Sequence, residues 1–292
     1  MTLSLGRVGI WSLSFAWNTP DAQEAAHELD ELGYGALWLG GADPALALPA
    51  GLLAATERMV VATGIVNVWA ADAVDLAARF HKLDAAYPGR FMLGLGASHA
   101  PIVRALGRSY AQPLAYLAAY LDDLDAAPEP VPADSRVLAA LRPRALALAK
   151  ERTAGAHPYL VTPEHTRAAR EGLGAGALLV PEQKVILETD PAAARALAHH
   201  NLSRYLALPN YVRNLRELGF ADDELTGGGS DRVVDALYAW GTLEQIARRV
   251  AEHHDAGADH VAVQVISGHT DLHTRSGRPA REEWRALAGA LL

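Results

Sequence analysis

Cysteine is absent from all 292 residues, which excludes disulfides, thiol nucleophiles and thiolate metal sites. No apolar run approaches the roughly 18 residues that a membrane helix needs. Two motifs are also missing: the His-Glu-x-x-His pattern of zinc hydrolases and a phosphate loop ending in Gly-Lys-Ser or Gly-Lys-Thr. A formal net charge of −8 argues against a nucleic-acid partner. Met1–Leu5 carries no basic, apolar, small-residue leader pattern. These absences leave a soluble, cytoplasmic protein with no membrane or nucleic-acid partner as the expectation.

Half the residues are hydrophobic and 21% are charged, enough apolar surface for a large core. Short apolar runs alternate with longer helical patterns, as in parallel β/α units. The expected strands are Val8–Leu13, Gly35–Leu39, Met59–Ile65, Phe91–Leu95, Arg136–Ala140, Ala156–Leu160, Lys184–Glu188 and His260–Gln264. For the fifth, Arg136–Leu141 reads equally well as the start of a helix continuing to Thr153. Eight such runs point to an α/β fold, a (β/α)8 TIM barrel, with residues 1–292 as one domain. Thr19-Pro20, Thr162-Pro163 and Asp190-Pro191 read as capped helix starts, and Thr242 with Gln245 as a capping box. Gly33 and Gly257 read as helix stops. Proline-rich Ala126–Asp134 reads as a stiff connector, and Pro191–Ala256 as a helical insertion before the last strand, interrupted near Gly227-Gly228-Gly229.

In such a barrel the site lies in the loops after the strands. Those loops hold Ser12, Ser14 and Trp17, then Gly40, Gly41 and Asp43, then Asn67 and Trp69. Ala97, Ser98 and His99 follow, with His157 and Tyr159, and finally Ser267 and His269. The set is polar and aromatic but poor in carboxylates, which favours a cofactor doing its own chemistry over a metal or a two-carboxylate hydrolase. Gly94–His99 lacks the third glycine of a dinucleotide fingerprint, so it reads as a strand exit where backbone approaches a ligand, or as glycines easing barrel packing. His99 is the candidate general acid or base, against a solvated loop histidine. The neighbours His199-His200 and His253-His254 sit on helices and read as solvated surface. Trp11, Trp38 and Trp69 either wall a planar ring or fill the core.

Several stretches carry more than a generic barrel. They are Val8–Ser12, Gly33–Gly40, Ala62–Trp69, Pro88–Gly96, Gly155–Tyr159 and Ala258–Val261. In order and spacing the chain resembles the luciferase-like monooxygenase superfamily, and within it the oxidoreductases that use the deazaflavin coenzyme F420. The resemblance implies a cofactor ring against Gly64, Ile65, Val66 and Asn67, on a backbone bulge at Gly64-Ile65 that in related enzymes often contains a non-proline cis peptide. It implies cofactor contacts from Gly96, Ala97, Ser98 and His99 and from Gly155, Ala156 and His157, with Trp11 and Gly41 completing the binding set. Better-known relatives carry Asp-His or Glu where this chain has Gly40-Gly41-Ala42, and some carry glutamate at the place of His99. The implied function is hydride transfer between coenzyme F420 and a small organic substrate, with His99 handling the proton and Asn67 as a hydrogen-bond partner. The alternatives are an FMN-dependent monooxygenase and a non-catalytic flavin-binding protein on the same fold. Many relatives are homodimers, and the resemblance extends that expectation to this chain.

Overall fold

The computed structural model describes residues 3–292. Its main sheet is parallel and comprises β1 Val8–Leu13, β2 Ala36–Gly40, β3 Val60–Thr63, β4 Val66–Asn67, β5 Phe91–Gly96, β6 Arg136–Leu138, β7 Gly155–Ala156, β8 Leu178–Leu179, β9 Glu182–Ile186, β10 Tyr238–Trp240 and β11 Val261–Val265. β1 lies between β2 and β11, and pairing runs through β3, β5, β6 and β7 to β8 on one side and to β9 on the other. β8 and β9 are two halves of one barrel position, parted at Val180-Pro181. Val180 N and Glu182 N donate to Ala156 O and Pro158 O on one flank, while Pro181 O accepts from Ala262 N on the other. Those bonds close the sheet into the expected β/α barrel.

Strand alternation sorts the core. Trp11, Trp38, Ala62, Met92, Val137 and Ala262 point into the barrel, whereas Ile10, Leu37, Val61, Leu93 and Val263 face the helices. Ala25, Ala26 and Leu29 of the first helix and Leu76, Phe80 and Leu83 of the third are buried on that outer layer. Gly33 ends the first helix in the left-handed region, at φ 95°, and Gly257 follows the helix Leu243–Asp255 at φ 101°. The fifth position is a strand, and its helix starts only at Pro143. Thr162, Asp190 and Thr242 cap as expected, the last in a full capping box. Thr19 does not: the first helix begins at Ala22 after Asp21, so Thr19-Pro20 belongs to the preceding turn.

The insertion before the last strand folds as helices Pro191–Leu206, Pro209–Glu217 and Asp231–Leu237, broken at Gly227–Gly229, where all three glycines have positive φ. It also contains β10, which the sequence reading lacked and which pairs with the upper end of β9. Helices and strand share their own apolar cluster, including Leu202, Tyr205, Tyr211, Leu215 and Tyr238, set over one side of the barrel mouth. Among the described residues no helix is long and apolar enough to cross a membrane.

Candidate active site at the barrel mouth

The third barrel position breaks where the site was expected. β3 stops at Thr63, β4 resumes at Val66, and the Gly64-Ile65 peptide bond between them is cis. Thr63 ties this break to β5: its Oγ1 donates to Gly94 O at 2.9 Å and accepts from Gly94 N at 2.8 Å. A Cβ at Gly94 would stand 1.9 Å from Thr63 O, so only glycine fits there. Ile65 folds over the next glycine, since a Cβ on Gly96 would meet Ile65 Cδ1 at 3.0 Å and Ala139 Cβ at 3.1 Å. Ile65 and Ala139 therefore cover Gly96 beside the break, with Ile65 and Ala97 half-buried.

Trp11 and His157 flank Gly64 from inside the barrel; a Cβ on Gly64 would lie 2.8 Å from Trp11 Nε1 and 3.2 Å from His157 Nε2. Both nitrogens are buried and without a partner among the described residues. His157 Nδ1 lies 2.7 Å from Val180 O, which fixes the proton on Nδ1 and leaves Nε2 as a lone pair. Burial holds this imidazole down at about 4, so it is neutral at pH 7. Beneath it Trp38 is core: it stacks on His157 and donates Nε1–H to His260 at 3.2 Å.

His99 follows β5 on a loop fixed by two aromatic donors. Trp69 Nε1 donates to Ala97 O at 2.9 Å and Tyr110 OH to Ser98 O at 2.9 Å, with Ser98 in the left-handed region at φ 56°. Trp69 itself stacks on Tyr116. The His99 imidazole is half-buried, and its Nδ1 lies 2.8 Å from Asn210 Oδ1 on the insertion helix Pro209–Glu217. Burial lowers its pKa below the usual histidine value, partly offset by the Asn210 hydrogen bond. With Asn210 Oδ1 as acceptor, Nδ1 carries the proton, and Nε2 has no partner among the described residues. Asn67 Oδ1 accepts from Trp69 N at 3.1 Å.

The remaining residues of the expected binding set separate by position. Gly41 is exposed, with open space where a Cβ would be. Val66 is buried and pairs with Leu95. Gly155 lies under the neighbouring strand, where a Cβ would meet Leu178 O at 1.8 Å, and the Ala156 side chain faces the helices. Of the sixth-strand stretch only the His157 side chain reaches the Gly64 break.

Sequence reasoning missed the polar cluster that closes the mouth. Lys184 Nζ sits 2.9 and 3.0 Å from the two oxygens of Glu182, and 3.8 Å from the Tyr159 ring centroid. Both charged side chains are fully buried; burial lowers the Lys184 pKa to about 8 and raises that of Glu182. Glu182 also accepts from Leu160 N at 3.1 Å. Tyr159 stacks obliquely on Trp11 and bonds to Tyr205 OH and Gln264 Oε1. Tyr211 completes the ring group against His99. The signal was present as Glu182-Gln183-Lys184: charges two apart share one face of a strand, here the inner one. His253 likewise departs from the solvated reading, being buried between Thr166 Oγ1 and Gln183 Oε1.

Solved structures share this fold. An F420-dependent secondary alcohol dehydrogenase in complex with an F420–acetone adduct is 13% identical, with 99% of this chain and 100% of that chain covered and a TM-score of 0.73. The coenzyme F420-dependent tetrahydromethanopterin reductase of Methanopyrus kandleri is 14% identical over 98% of each chain, with a TM-score of 0.65. The FMN-complexed oxygenating constituent of 3,6-diketocamphane monooxygenase from Pseudomonas putida is 14% identical over 98% of each, with a TM-score of 0.67. A comparison with curated protein sequences finds no match. The sequence profile of the luciferase-like monooxygenases matches residues 2–260, and the chain belongs to that family.

Proposed function

We propose that the protein is an oxidoreductase that passes a hydride between coenzyme F420 and a small organic substrate at the barrel mouth. The observation that carries this reading is the pair of buried nitrogens, Trp11 Nε1 and His157 Nε2, which lack a partner among the described residues and flank Gly64, where the resemblance sets a flat ring. The donor set fits such a ring. Trp11 Nε1 offers a hydrogen and His157 Nε2 a lone pair, both unpartnered, and the pyrimidine edge shared by flavins and deazaflavins alternates carbonyl oxygens with an N–H. Ile65, Gly96 and Ala97 would hold the ring, with Trp11 and His157 serving its polar edge. The N–H groups of Ala97, Ser98 and His99 have no partner among the described residues and would serve a phosphate.

When bound, the deazaflavin supplies two-electron hydride chemistry. The chain's own contribution is alignment, exclusion of water and one proton position. His99 is neutral near pH 7 and its Nε2 is free, so it takes a proton from a substrate hydroxyl or, once protonated, returns one. Asn210 fixes the ring orientation, and the Trp69 and Tyr110 contacts fix the loop. An FMN-dependent monooxygenase is the second reading, because the same pyrimidine edge is common to both cofactors. Fluorescence titration with coenzyme F420 and with FMN tests the choice. Tighter binding of F420 is expected, and equal or tighter binding of FMN transfers support to the monooxygenase.

A further inference from the structure

The mouth holds three tyrosines whose hydroxyls differ in one respect. Tyr205 OH lies 2.5 Å from Tyr159 OH, and Tyr159 donates to Gln264 Oε1 at 2.8 Å, so both are engaged. Tyr211 makes no hydrogen bond among the described residues; its ring is buried, the residue being 7% exposed, while its hydroxyl is open to solvent. Its ring is wedged 5.2 Å from His99, 5.5 Å from Tyr205 and 6.1 Å from Tyr159, centroid to centroid. A phenol hydroxyl that a buried ring holds open to solvent at a cleft is available to a ligand.

His99 has the same property at Nε2. Tyr211 and Asn210 are consecutive in the first turn of the helix Pro209–Glu217, so one turn both orients the imidazole and presents the phenol beside it. A phenol hydroxyl donates; a neutral imidazole Nε2 accepts. An alcohol oxygen meets both demands at once, accepting from one and donating to the other. A carboxylate has only acceptors for the His99 lone pair, and the nearby Lys184 charge is already neutralised by Glu182. The flanking faces are the rings of Tyr159, Tyr205 and Trp11, which suit a hydrocarbon body.

We propose that Tyr211 and His99 form an oxygen-anchoring pair that selects neutral, hydroxyl-bearing hydrocarbon substrates over carboxylates. The proposal rests on the reading of the mouth as the active site. Cyclohexanol and cyclohexanecarboxylate serve as probes of the whole protein without coenzyme, read by nitrogen-15 NMR of the His99 imidazole. Cyclohexanol is expected to shift the Nε2 resonance, and cyclohexanecarboxylate is not. Tyr211→Phe keeps the ring and its packing, and should weaken cyclohexanol binding about 3- to 10-fold, the worth of one hydrogen bond. Affinity unchanged in Tyr211→Phe, or carboxylate bound as tightly as alcohol, overturns the pair. Fluorescence titration of coenzyme F420 and FMN on the same samples separates the two claims. Coenzyme binding with unchanged cyclohexanol affinity overturns the pair alone, whereas failure of both coenzymes to bind overturns the reading of the mouth.

Discussion

Asn210→Asp replaces a neutral amide oxygen 2.8 Å from His99 Nδ1 with a carboxylate of nearly the same shape. Two unit charges about 4 Å apart interact by about 4 kcal/mol at an effective dielectric of 20. Water at the half-buried rim reduces this, and carboxylates near ionisable partners shift them by about 1–3 pKa units. His99 starts below the usual histidine value because burial disfavours its charged form. The added carboxylate favours that form, so the pKa rises. As a base His99 works unprotonated, so the acidic limb of kcat/KM for alcohol oxidation moves to higher pH by about 1–3 units. Well above the limb the variant recovers most of the wild-type rate. The assay pairs pH–rate profiles with NMR titration of His99 in both proteins. If the His99 pKa rises and the limb stays put, His99 is not the base. A pKa that fails to rise refutes the Asn210 contact itself.

His99→Ala should lower kcat on the order of 100-fold while coenzyme affinity, read by fluorescence, stays nearly intact; lost affinity with unchanged kcat would make it a binding residue. Lys184→Met leaves Glu182 buried with only Leu160 N as donor, and urea unfolding should show a loss of about 3–5 kcal/mol. The paired Glu182→Leu/Lys184→Met variant should recover most of that loss, and a cost equal to the sum of the single variants contradicts the pairing. Acid should destabilise the fold through His157, His253 and His260, whose burial holds them at about 4, 3 and 4. Their folded pKa values lie below the unfolded value, so their contribution is complete above about 6.5 and is lost as pH falls toward 4. Unfolding midpoints at pH 7 and pH 5 check this, and an unchanged midpoint would show the three rings to be hydrated.

The barrel was legible because its signals are local. Alternating apolar runs, the caps at Thr162, Asp190 and Thr242, and the stops at Gly33 and Gly257 act within a few residues. Boundaries failed where proline intervenes. The sixth strand, expected at Ala156–Leu160, ends before Pro158, and the seventh, expected from Lys184, begins at Leu178 and is parted at Val180-Pro181. That late start hid Glu182, and with it the inward Glu182–Lys184 pair. The first half of the candidate site, around Gly64, Gly96 and His99, was expected from strand ends and the family resemblance. Its second half could not: Asn210, Tyr205 and Tyr211 reach the mouth from an insertion more than a hundred residues beyond His99, and nothing in their local sequence distinguishes them from helix surface. His253 was misread for a related reason, since its neighbour His254 and the surrounding charges suggested solvent while the fold turned its ring inward.

Anaerobic addition of alcohols to the protein loaded with oxidised coenzyme F420, followed by the visible absorbance of the deazaflavin, reads hydride transfer itself. The absorbance should bleach as the ring takes hydride, at a rate that falls in His99→Ala. A protein that leaves the coenzyme oxidised with every alcohol, yet consumes oxygen when given reduced FMN, would contradict it.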